Sequence, residues 1–114
     1  MLSIQTRRMR TMNEMILHIK KFYQEASGLL VRKNHDYAGD EDPLKNFHLA
    51  EYLGVTTTER AILVRMLDKV ARIATVLNEG AEVKEETLHD TLVDLANYAA
   101  ILDYALMRRE RDES

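Results

Sequence analysis

With 114 residues, 16 basic and 19 acidic side chains and a formal net charge of −3, the chain has the length of one domain and no bulk attraction for nucleic acid or anionic membrane. It holds no cysteine, which excludes disulfides, thiolate metal sites and a cysteine nucleophile and suits a reducing, cytoplasmic setting. One proline and four glycines leave little turn chemistry for a sheet-rich fold, and no apolar run approaches the roughly 20 residues of a membrane span.

Residues 1–11 carry Arg7, Arg8 and Arg10 with no apolar stretch behind them, so they do not read as a signal peptide. They are expected to form a flexible or partner-contacting segment. From residue 12 to residue 34, Ile16, Ile19, Tyr23, Ala26 and Leu30 recur at steps of three and four, the period of an amphipathic helix. Residues 34–46 hold Gly39, Pro43 and the acidic group Asp36, Asp40, Glu41 and Asp42, and read as the main loop. A short helix is expected over residues 43–53, with Pro43 in its first turn and Gly54 just past its end. In the next helix Leu63, Met66, Val70, Ile73 and Leu77 repeat the three-four step. Thr56 and Glu59 have capping-box spacing at its start, and Gly80 fits its end. The last helix carries Leu88, Leu92, Leu95, Ala99, Leu102 and Leu106 in one stripe. Its Glu85 and Glu86 at the start and Arg108, Arg109 and Arg111 at the end suit the helix macrodipole.

These elements predict one all-α domain over residues 1–114, a bundle of three long antiparallel helices plus one short helix. Residues 80–84 are few enough to turn the last two helices into a hairpin. Val64, Leu67, Val93 and Ile101 lie off the main stripes and suggest a second buried face, hence a homodimer or higher homo-oligomer. The alternative is a monomer with ordinary surface apolar residues.

Three clusters could carry chemistry. Glu86, Asp90, Asp94 and Asn97 lie within roughly 80° of one another on an ideal helix, nearly opposite the leucine stripe. Such a row either holds a divalent cation through oxygen ligands or is a solvated helix face, although Ile101 and Tyr104 make its continuation apolar. Arg65, Asp68, Lys69 and Arg72 occupy the preceding helix. Counting outward from the hairpin turn brings Asp68, Arg72, Asp94 and Asn97 to one layer, which fits a metal with a phosphate or a structural salt-bridge network. Lys33-Asn34-His35-Asp36-Tyr37 ends the first long helix. There Lys33 could meet a phosphate, Tyr37 could stack on a base, and His35 with Asp36 could bind a metal or act as acid and base. Each also has an ordinary role at a helix end or in a turn. No glycine-rich phosphate loop, zinc-helix motif or nucleophile elbow is present, and no basic, aromatic-interleaved patch argues for nucleic acid.

Three strings taken together, Lys33-Asn34-His35-Asp36-Tyr37 with Asn46-Phe47, Arg65-Met66-Leu67-Asp68-Lys69 with Arg72, and Asp90-Thr91-Leu92-Val93-Asp94-Leu95-Ala96-Asn97-Tyr98-Ala99, give a resemblance over residues 28–102. The chain resembles the nucleotide modification associated domain 1 family, small helical proteins found largely in phages and prophages. It is distantly similar to the MazG-type all-α nucleoside triphosphate pyrophosphatases, which hold magnesium on E-x-x-E and E-x-x-D helices and work as dimers or tetramers. The chain departs from that pattern: no E-x-x-E precedes the hairpin, and Asp90, Asp94 and Asn97 replace E-x-x-D.

The resemblance implies a cytoplasmic nucleotide-handling protein, in its sharpest form a magnesium-dependent nucleotide phosphohydrolase. Asp68, Asp90 and Asp94 would hold Mg with Glu86 as an outer ligand, and Asp68 and Asp94 would be the catalytic pair. Lys33, Lys69 and Arg72 would neutralise phosphates, and Asp36, Tyr37 and Asn97 would touch base or sugar. The alternative is a non-catalytic helical binding or adaptor module associated with nucleotide modification. A nucleic-acid binder using the arginines at both ends is a third, weaker reading.

Overall fold

The computed structural model describes residues 3–37, 44–79 and 85–113. Those residues form four helices and no strand: α1 (Ile4–Tyr37), α2 (Lys45–Tyr52), α3 (Thr58–Glu79) and α4 (Glu85–Glu113). The all-α expectation of three long helices and one short one is met. Gly80 and Pro43, expected at a helix end and a helix start, lie outside the described residues.

The elements follow local chemistry. α1 begins at Ile4 rather than at residue 12 because residues 4–11 contain no glycine or proline and include three arginines and a methionine, all good helix formers. The Thr11 hydroxyl donates to the Arg7 carbonyl at 2.8 Å within this extension. α2 ends in a Schellman motif. The Gly54 N–H donates to the Glu51 carbonyl and the Val55 N–H to the Ala50 carbonyl, with Gly54 at φ +75° in the left-handed region. The cap of α3 differs from the expected box: the Thr57 hydroxyl, not that of Thr56, accepts the Arg60 N–H at 3.2 Å. Glu59 is turned to another helix, as described below.

α4 is the central element. It packs against α3 along most of its length and against α1 over a short patch, α2 leans on α3, and among the described residues no Cα of α1 comes within 8 Å of one in α3. Glu59 meets Arg109 at one end of the α3–α4 pair and Lys69 meets Asp94 further along, so the two helices run antiparallel. Leu44, Ile62 and Ala105 form the buried core, with Phe47, Met66, Tyr98, Ile101 and Leu102 around it. Phe47 stands edge-on to Tyr98 at 6.2 Å between ring centroids. Ile62 has no solvent exposure, and burial of a side chain of that size stabilises by about 1.5–3 kcal/mol. Ala26 of α1 and Val93 of α4 are also buried.

The inner face of α4 takes in only part of its leucine stripe, with Leu88, Leu95 and Leu102 half-buried. Thr91, Val93 and Ala105 are buried and Asp94, Asn97, Tyr98 and Ile101 are half-buried, whereas Leu92, Ala99 and Leu106 are exposed. Of the row that reads as polar in the sequence, Asp94 and Asn97 pack, while Asp90 stays exposed. They can do so because their carboxylate and amide find partners on α1 and α3.

Two long helices keep apolar seams in solvent. Every residue of α1 from 7 to 21 is exposed. Met9, Met12, Ile16, Ile19 and Tyr23 recur there at steps of three and four, and only the continuation of that seam at Ala26 and Leu30 is covered. On α3 the residues Ile62, Met66, Lys69, Ile73 and Val76 face inward, while Leu63, Leu67, Val70, Ala74 and Leu77 are all exposed at the same steps. The chain therefore exposes 9314 Å², against about 6,400 Å² for a compact monomer of its 13.2 kDa. Its radius of gyration is 18.2 Å, against about 13 Å for a compact domain of that length.

Candidate functional site

The three long helices are tied together at Asp94. Lys33 of α1 places its Nζ 3.3 Å from Oδ1, and Lys69 of α3 places its Nζ 3.2 Å from Oδ2. The Asp94 carboxylate and the Lys69 ammonium stem are largely covered, at 25% and 17% exposure, while Lys33 is half in solvent. Two ammonium groups on one carboxylate leave a net positive charge where the helices converge. The Lys33 pair by itself contributes little to stability, since an exposed lysine gives up side-chain entropy to hold it.

Local sequence explains the convergence. Lys33 sits in the last turns of α1, where a cation also meets the negative end of the helix dipole. Lys69 lies on the inward row of α3 between Met66 and Ile73, so its four-carbon stem packs while its ammonium reaches α4. Asn97, one turn beyond Asp94, donates its amide N–H to the Ala26 carbonyl at 2.9 Å and clamps α1 to α4.

The expected residues divide into three groups. The structure brings Lys33, Lys69 and Asp94 together and sets Asn97 beside them as a helix clamp. Asp68, Asp90 and Arg72 stand on exposed positions and do not join Asp94. The expected layer of Asp68, Arg72, Asp94 and Asn97 is thus replaced by Lys69 with Asp94, because the inward row of α3 passes through residue 69 and leaves 68 and 72 turned away. The side chains of Asp36, Tyr37 and Glu86 lie outside the described residues. Asp94 gives both oxygens to ammonium groups, and no group of three His, Cys, Asp or Glu side chains among the described residues could hold a metal ion.

Two polar arrangements were invisible in the sequence. His89 Nε2 lies 2.8 Å from Glu25 Oε2, with the Phe22 ring edge-on to the imidazole at 6.0 Å. This contact joins α1 to the start of α4 across 64 positions, and no local spacing announces it. At the far end of the hairpin, Arg109 donates from Nε to Glu59 and from Nη2 to Glu51, both at 2.5 Å. The Thr58 hydroxyl donates to the other oxygen of Glu51 at 2.8 Å. The Thr58 hydrogen bond and then the Arg109 guanidinium hold the Glu51 carboxyl below its ordinary value, while Glu59 and then Glu51 hold Arg109 more firmly protonated. In the sequence, Arg109 reads only as a cation at a helix C-terminus.

No helix among the described residues is long and apolar enough to cross a membrane. In comparison with known proteins, the chain matches no family model, no curated protein and no solved structure.

Proposed function

We propose that this chain is a helical nucleotide-binding module that holds a nucleotide through its phosphates and does not cleave it. The observation that carries the reading is the pair of ammonium groups, Lys33 from α1 and Lys69 from α3, drawn to the one carboxylate at which three helices meet. A phosphate bridging the two lysines would replace one anionic partner with another of higher charge. Both Asp94 oxygens are held by ammonium groups and Asp68 and Asp90 are exposed, which supports binding over metal-assisted hydrolysis.

Asp94→Asn separates this reading from an enzyme. Removing the carboxylate frees both lysines, so a phosphate-binding module keeps or improves its affinity for deoxynucleotides, read by titration calorimetry with and without magnesium. Lys69→Ala is expected to weaken the same binding at least tenfold. Magnesium-dependent release of pyrophosphate or phosphate by the natural chain, abolished in Asp94→Asn, would overturn the module and establish the hydrolase.

A further inference from the structure

The exposed seams of α1 and α3 share a repeat and a length. Each spans fifteen residues in three-four steps, residues 9–23 on α1 and 63–77 on α3, or about 21 Å of helix. On α3 the seam lies roughly 100° around the helix from the inward row, and on α1 it runs on into Ala26 and Leu30, which are covered. Within one chain both seams are exposed, so neither covers the other. We propose that they cover each other between two copies: the α1 seam of one chain packs against the α3 seam of a second, and reciprocally, in a two-fold symmetric dimer.

The surface area is enough for the interface of a homodimer. The chain exposes about 2,900 Å² more than a compact monomer of its mass. Obligate homodimers bury roughly 1,000–2,500 Å² per chain, on surfaces resembling a core cut in half. Reciprocal pairing uses both seams of both chains and closes, leaving no seam to propagate a fibre. The charges agree. Arg65, Asp68 and Arg72 of α3 and Arg7, Glu14 and Lys21 of α1 all fall well away from their own seams on the helical wheel. An amphipathic helix also draws most of its stability from a packed face. The part of α1 exposed from 7 to 21 lacks one within its own chain, and a partner present at every synthesis of the chain supplies it.

The pairing is tested without reference to the lysine site. Sedimentation equilibrium of the natural chain at tens of micromolar is expected to give twice the 13.2 kDa of one chain. The chain has no cysteine, so disulfides report only introduced thiols. Ile16 and Val70 are the midpoints of their seams and should meet whichever way the helices run. Mixing Ile16→Cys chains with Val70→Cys chains under mild oxidation should give the mixed disulfide as the main product. A mass of one chain would overturn the proposal. A dimer whose Ile16→Cys chains link only to one another would overturn it too, since α1 would then pair with α1. Loss of nucleotide binding with the dimer intact would count against the lysine site alone.

Discussion

The two ends of the molecule solve the same packing problem differently. Around Ile62 the helices α2, α3 and α4 enclose a small core, and Arg109 spans two carboxylates at its rim. Along α1 from 7 to 21 a helix of similar amphipathicity runs exposed on every residue. Hydrophobic periodicity makes a helix in both places, but it does not say whether the apolar face meets the same chain or another. The difference lies in connection. α3 and α4 are separated by only five residues in the sequence, whereas among the described residues α1 meets α4 between Phe22 and Lys33, where aromatic, amide and lysine contacts hold it.

The contrast can be broken most forcefully at Ile62. Ile62→Ala removes a fully buried side chain and should lower stability by about 2–5 kcal/mol in urea unfolding. The same truncation at Ile16, in chains diluted to monomers, should cost under about 1 kcal/mol. Equal costs under dilution would mean that α1 is packed within its own chain. Hydrogen exchange sharpens the point residue by residue. Amides from 7 to 21 should exchange quickly in dilute protein and slow markedly on concentration, while those around Ile62 stay protected at both. Protection of 7–21 that ignores concentration would remove the distinction between the two regions.

Smaller effects come from the end of α2. Gly54 sits at φ +75°, and a methyl group at its Cα would meet only open space. Gly54→Ala should therefore cost about 1–2 kcal/mol through backbone strain alone, and an unchanged unfolding midpoint would show that the turn can relax. The smallest expected effect is the pH dependence of Glu51. Its carboxyl is held below the ordinary value of 4.5 by Thr58 and Arg109. A depressed folded-state value means that its contribution is fully present above pH 4.5 and is lost as the pH falls through the lowered value. Glu51→Gln should thus be less stable than the natural chain at neutral pH, and the two should converge in acid. A gap that persists in acid would assign the effect to packing.

Much of the fold was legible in the residues. The helices, the glycine that ends α2 and the antiparallel pairing of α3 with α4 follow from periodicity, left-handed φ and a short turn. The candidate site was legible only in part. Lys33, Lys69, Asp94 and Asn97 stand out by type and spacing, yet the partner of Asp94 turned on a rotation of α3 by one residue. That rotation exchanges Asp68 and Arg72 for Lys69. His89 with Glu25 and Arg109 with Glu51 join residues more than fifty positions apart, and nothing local connects them.

The sequence by itself determined that this chain forms long amphipathic helices, because each residue's side chain and backbone preference act within a turn or two. Only the tertiary structure decided which of several apolar and polar rows faces inward. A helix with two plausible faces buries the one whose polar members find partners, as α4 does through Asp94 and Asn97, and that choice depends on residues far away in the chain.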